Sequence, residues 1–220
     1  MSELTDALER ILDFMQQYPT PQDIFLQPGI SRTKIEELTN VLPFSLPHEL
    51  YELYSWRNGD SSGRGRIAEL EFLPIEKAIN KYLSTLKDAR ASAVRSGRDP
   101  SETSWNSHWF PIFYVDSIEQ GDYFILLNEE PQETSPVFCY DYKDWENLEP
   151  KFKYTSLTNM MLTIAEYYET GAYYLVEGES QYYLEKDDEK VETIRRKYNP
   201  EAWETYYDLF PEEIFYLPGY

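Results

Sequence analysis

The chain has 220 residues, a net charge of −20 and a single cysteine, Cys139. One cysteine excludes an internal disulfide and any cysteine-built zinc centre. A surplus of carboxylates of this size repels nucleic acid and anionic membrane over about a Debye length of 8 Å and favours basic partners.

The length suits one generous domain that buries roughly 70% of the surface of its unfolded chain. The 20 Tyr, 11 Phe and 5 Trp supply the apolar area for its core. The charge is uneven. Residues 61–110 carry 8 basic against 6 acidic side chains, whereas residues 161–220 carry 5 against 14. The first eighteen residues alternate apolar with charged and lack the apolar run of a secretory signal, and no window is long and apolar enough to span a bilayer. A reducing, cytoplasmic setting is the expectation.

In chain order, Leu4, Leu8, Ile11, Leu12 and Met15 predict a helix over residues 3–17, stopped by Tyr18-Pro19-Thr20-Pro21. Thr33 and Glu36 stand in capping-box relation for a short second helix ending near Val41. Ser45 is the expected N-cap of a third helix that turns Leu46, Leu50, Leu53 and Tyr54 inward and closes at Asn58-Gly59. Residues 67–72 alternate as a strand. A long helix follows from Pro74 to about Ser96, with Ile75, Ala78, Ile79, Tyr82, Leu83 and Leu86 on one face and Gly97 as its stop.

Trp109–Val115, Tyr123–Leu127 and Val137–Tyr142 read as strands at meander spacing. Ser156 caps a helix over Thr158–Thr170 that ends at Gly171, residues 171–184 hold a further strand, and Asp187–Lys197 form a charged helix. The fold class is therefore α+β, an antiparallel β-meander sheet packed with helices.

Residues that carry chemistry are few. His48 falls in the first turn of the third helix and reads as a surface or capping group. His108 sits between Trp105 and Trp109. A Cys139–His108 nucleophile pair lacks an activating elbow or helix N-terminus, so Cys139 reads as a small buried residue. Neither a metal-binding spacing nor a phosphate loop is present, and no cofactor is expected.

The binding candidates are acidic and aromatic. Glu129, Glu130 and Glu133 precede Tyr140, Asp141, Tyr142, Asp144 and Trp145, a series suited to receive Lys and Arg by ion pairing and cation–π contact, although an ordinary solvated turn region is the commoner meaning of such residues. The tail from Glu201 to Glu213, with Trp203, Tyr206, Tyr207 and Phe210, has the same character.

The segment Leu46-Pro47-His48-Glu49-Leu50-Tyr51-Glu52-Leu53-Tyr54-Ser55-Trp56-Arg57-Asn58-Gly59 resembles the hallmark of the SUKH superfamily, the Smi/Knr type of domain. Phe72-Leu73-Pro74-Ile75, Trp109-Phe110-Pro111-Ile112, Gly121-Asp122-Tyr123-Phe124 and the helix from Ser156 to Gly171 are similar to its later elements, in order. The resemblance divides the chain into an N-terminal helical extension (1–27), a SUKH-like domain (28–171) and an acidic aromatic C-terminal extension (172–220). It implies a non-catalytic protein-binding module, either an immunity-type protein that neutralises a basic, nuclease-like toxin or a housekeeping regulator that binds an endogenous partner. In family terms Leu50, Tyr54 and Trp56 are structural, Gly59 is conformational, and Asn58 and Asp60 are capping groups, with contact to a partner or ligand as the alternative. A small-molecule-binding or hydrolytic protein built on His108 and nearby carboxylates is the rival from another class.

Overall fold

The computed structural model describes residues 2–18, 22–60, 62, 66–103, 105–115, 121–141, 150–178 and 182–202. Within them the helices are α1 (Glu3–Met15), α2 (Arg32–Thr39), α3 (His48–Trp56), α4 (Ile75–Arg95), α5 (Leu157–Glu169) and α6 (Asp188–Tyr198), with a 3-10 turn at Gln22–Phe25. The strands are β1 (Arg66–Ile67), β2 (Leu70–Phe72), β3 (Trp109–Val115), β4 (Gly121–Leu126), β5 (Val137–Asp141), β6 (Lys151–Tyr154), β7 (Tyr173–Glu177) and β8 (Tyr182–Lys186). The first six strands form one antiparallel sheet in sequential order, and β7 with β8 forms a separate ribbon. The expected α+β fold, helices packed on an antiparallel meander, is the fold observed.

Register assigns the two faces of the sheet. Phe72 pairs with Phe113, which pairs with Tyr123, so these three share one face, and Tyr54 of α3 packs there at 5.3 Å from the Phe72 ring. Glu71, Tyr114 and Asp122 fall on the other face by the same ladder. There α4 lies over them: Lys81 pairs with buried Asp122 at 2.9 Å and sits over the Tyr114 ring, while Lys77 pairs with buried Glu71. Part of the basic middle segment is thus consumed inside the fold.

Around the first face, α1 and α5 pack through Phe14 and Tyr168, whose rings stack 4.0 Å apart. Helix α6 closes over α5. Asn199, fully buried, donates from Nδ2 to the Thr163 hydroxyl and accepts at Oδ1 from the Thr155 backbone N–H.

Several expected boundaries move, each for a local reason. The cap of α2 is Ser31, whose hydroxyl accepts from the Lys34 N–H, not Thr33, which lies inside the helix. Ser45 does not cap α3. Its N–H donates to the Asn128 carbonyl, and the N–H groups at the start of α3 are satisfied from elsewhere. The segment 67–72 is not one strand, because Ala68 adopts φ 56° and turns the chain between β1 and β2, with its N–H held by the Tyr168 hydroxyl. Leu83 is exposed rather than inward. Strand β6 was not expected, and residues 171–184 give two strands in place of one. Thr158–Thr170 and Pro74–Ser96 correspond to α5 and α4 within a residue or so, with Ser156 as the α5 cap through the Asn159 N–H.

Gly59 shows why the Asn-Gly end of α3 matters. Its φ is +67°, and a Cβ there would lie 2.4 Å from the Pro74 nitrogen and 2.5 Å from the Leu73 carbonyl carbon. Gly59→Ala should therefore cost about 2–4 kcal/mol, from the left-handed conformation and the backbone clash together, read as a lower urea midpoint.

Two ion pairs set a pH dependence at the seam of α1, α5 and α6. The Arg10 guanidinium hydrogen-bonds Glu169 at 2.6 Å and holds its carboxyl below the usual range. Burial pushes Glu166 up, but hydrogen bonds from Lys197 and Tyr198 outweigh it and hold this carboxyl low as well. Folded values below unfolded ones mean a contribution complete above the ordinary glutamate value of about 4.3 and lost as pH falls through the folded values. A Glu166→Gln/Glu169→Gln chain should consequently lose less stability between about pH 5 and 3 than the parent, followed by circular dichroism.

Candidate functional site

The loop joining β4 to β5 carries three of the candidate binding residues, Glu129, Glu130 and Glu133, all exposed. Its backbone is held against the start of α3. The His48 and Glu49 N–H groups, which a helix leaves without internal partners, donate to the Gln132 and Glu133 carbonyls at 2.9 and 3.2 Å. Ser45 Oγ donates to the Glu129 carbonyl, and the Gln132 side chain bridges Asn128 to the Leu126 carbonyl. Ser135, buried, shares its hydroxyl with the Leu126 N–H and carbonyl.

Under the loop lies Glu49, only 4% exposed. Its Oε2 accepts from the Ser135 N–H at 3.1 Å and the Leu157 N–H at 3.3 Å, and its Oε1 accepts from the Thr158 N–H at 2.7 Å. One carboxylate on α3 therefore satisfies the loop and the first turn of α5 together, where the positive end of the helix dipole favours a negative charge. Sequence reading did not single it out. The signal available was an acid at an amphipathic helix's buried side, one turn before Leu53.

The other candidates divide. Tyr140 is a correction: at 8% exposed, its ring lies against Trp105 at 5.8 Å and Trp109 at 6.4 Å, so it builds the core instead of offering a face to a partner. Asp141 is the last residue of β5, paired with Gly121. It stands at the far end of that strand from Glu133, and the eight residue steps from one to the other span up to roughly 26 Å at about 3.3 Å each. The structure thus brings the three loop glutamates together and does not join Asp141 to them. Tyr142, Asp144 and Trp145 lie outside the described residues, as do Trp203, Tyr206, Tyr207 and Phe210 of the tail.

Residues weighed for catalysis occupy structural positions. His48 is exposed and pairs with Glu52 at 3.1 Å. His108 is buried, its Nδ1 2.8 Å from the Leu127 carbonyl and its ring 4.1 Å from Phe44. Cys139 pairs with Tyr123 in the ladder, whereas His108 is hydrogen-bonded through Leu127, four residues further along β4. That offset is roughly 13 Å at 3.3 Å per residue, far beyond the contact a nucleophile and its base need.

Asn58 and Asp60 are both buried. Asn58 Oδ1 accepts from the Ile75 N–H and caps α4 rather than its own helix, while its Nδ2 reaches Gln27 and Glu76. Asp60 accepts from the Ser62 N–H and hydroxyl and donates its own N–H to Phe72.

A groove of about 530 Å³ opens between α1 and α3, lined by Arg32, His48, Tyr51, Glu52, Trp56 and Arg57 among others. Its cations are already engaged. Arg32 pairs with Glu36 and stacks 4.4 Å over Tyr51, and Arg57 lies 5.5 Å from the Trp56 ring. Among the described residues, no group of three His, Cys, Asp or Glu is arranged to hold a metal, and no helix is long and apolar enough to cross a membrane.

Comparison with protein families matches residues 29–163 to the profile described as the SMI1 / KNR4 family (SUKH-1). The match runs from the turn before α2 into α5, and so includes Glu49, Asn58, Gly59 and the β4–β5 loop. A search of curated proteins finds no match.

Removing the charge of Glu49 leaves three buried or half-buried N–H donors with a weaker acceptor set. Glu49→Gln should lower the unfolding free energy by about 2–4 kcal/mol. Glu129→Gln, a surface change, should stay within about 0.5 kcal/mol. Paired denaturant titrations compare the two.

Proposed function

This chain belongs to the SMI1/KNR4 family (SUKH-1), and from that premise we propose that it is a non-catalytic protein-binding domain of the immunity type, whose partner is a protein with a basic surface. The observation that carries the reading is the β4–β5 loop. Three exposed carboxylates, Glu129, Glu130 and Glu133, stand on a backbone held by α3 in a protein of net charge −20. A rigid acidic loop loses little entropy on binding, and the field of the whole chain draws a cationic partner towards it. A nuclease-like toxin domain, which must present cations to nucleic acid, is a partner of that chemistry.

Affinity capture from the native cell at low and high salt, with the bound proteins identified by mass spectrometry, tests the proposal. A basic protein retained at low salt and released at high salt is the expected result. A partner without a basic surface, held equally at both salts, would favour the regulatory role that the family also implies. With the captured partner in hand, Glu129→Gln/Glu130→Gln/Glu133→Gln should slow association by about tenfold and flatten its salt dependence, with a smaller effect on dissociation. Unchanged association would move the contact off this loop.

A further inference from the structure

The β7–β8 ribbon is joined to the body at its base and along one face. Ala172 and Tyr173 are buried, Tyr173 packs 5.3 Å from the Tyr167 ring, and the Asp187 N–H closes the ribbon onto the Ala172 carbonyl at 2.8 Å. Register separates its two faces. Tyr173, Leu175 and Leu184 fall on one, and Leu184 packs towards the core. Tyr174, Val176, Tyr183 and Glu185 fall on the other, with Val176 opposite Tyr183 and Tyr174 opposite Glu185.

That outer face is open. Tyr174 is 43% exposed, Val176 40% and Tyr183 48%, whereas Tyr182, 41% exposed, stands opposite Glu177 on the other face. The ribbon thus holds four of the eight large hydrophobic side chains exposed among the described residues, three of them on this face, while Ile24 and Val41 stand elsewhere and Leu83 and Val94 are both on α4. A two-stranded ribbon is marginal by itself, so leaving its valine and tyrosines in water is a cost that no contact among the described residues recovers. Single exposed apolar residues need no explanation, but a group of them on one face marks a contact surface.

The charges around the face indicate what it meets. Between Glu169 and Glu189 the sequence places seven carboxylates against one lysine, Lys186. Glu169 is engaged by Arg10 and Asp187 by Lys190. Glu177, Glu185, Asp188 and Glu189 are exposed and have no cationic partner among the described residues. Tyrosine rings bordered by free carboxylates accept lysine and arginine twice over, through the ring face and through the ion pair. The ribbon also lies beyond residues 29–163, the part shared with the family. We infer that the outer face of β7–β8, Tyr174, Val176 and Tyr183 within their border of unpaired carboxylates, docks a lysine- and arginine-rich segment of a partner protein. The inference rests on the basic-partner reading above and places a second contact away from the β4–β5 loop.

The probe is a synthetic twelve-residue peptide of alternating arginine and valine, titrated into the full isotope-labelled chain and followed by NMR. A serine–valine peptide of the same length is the control. Shifts centred on Tyr174, Val176, Tyr183 and Glu185, absent with the control, are expected. Tyr174→Ser/Val176→Ser/Tyr183→Ser should weaken the arginine peptide by about tenfold or more while leaving the rest of the spectrum folded. Shifts confined to Glu129–Glu133 would overturn the ribbon as the site and leave the basic-partner reading standing. Equal binding of both peptides would overturn the charge chemistry, and binding of neither would overturn the docking surface. A chain that sediments as a dimer, and becomes a monomer in the triple variant, would assign the face to a second copy and overturn the inference.

Discussion

A buried carboxylate accepting three backbone N–H groups holds the middle of this protein together. Glu49 is on α3, Ser135 ends the long β4–β5 loop, and Leu157 and Thr158 begin α5. Each contact alone is an ordinary charge-assisted hydrogen bond. Because all three converge on one side chain, the loop, α3 and α5 cannot shift independently without leaving a charge or donors unpaired in a site with little water. The same helix offers its first N–H groups to the loop's carbonyls. The loop and α3 are thus each other's cap, and the exposed glutamates stand on the part of the surface where this mutual satisfaction is densest.

The second organising constraint is the distribution of charge between interior and surface. Lys77 and Lys81 reach down from α4 to Glu71 and Asp122 on the sheet. Arg10 and Lys197 neutralise Glu169 and Glu166 where helices meet. These four basic residues join elements, while Lys87, Arg90, Arg95 and Arg98 stay exposed on α4 and just beyond it, and acid is left outward on the β4–β5 loop and along the ribbon into α6. An acidic surface on a chain of net charge −20 is the property from which the functional reading proceeds.

Much of the architecture was legible from local pattern. The period of Met161, Ile164, Ala165 and Tyr168 with Ser156 before and Gly171 after defines α5, and the continuous apolar run Trp109–Val115 matches β3 to the residue. Readings failed where a partner distant in sequence decided. Thr33 has the spacing of a capping box, but Ser31 comes first in extended conformation and takes the N–H. Ser45 has the chemistry of a cap, but its backbone bridges to Asn128 instead. Ala68 turns the chain where the hydrophobic alternation runs straight on, and the hydroxyl that holds it belongs to Tyr168, a hundred residues away.

The candidate site shows the same division. Composition and charge, with the Leu-Pro to Asn-Gly segment, determined that this is an acidic α+β domain of the SUKH kind. Those properties depend on residue type and local spacing, which a linear chain carries in full. Only the tertiary structure decided that Glu129, Glu130 and Glu133 share one loop while Asp141 stands at the other end of β5, that Tyr140 is spent on the core between Trp105 and Trp109, and that Glu49 is a buried acceptor rather than one more surface acid. Which side of a strand faces the core, and which donors converge on one carboxylate, follow from sheet register and from contacts made across more than eighty residues of chain. Those are properties of the packed molecule, and no local pattern encodes them.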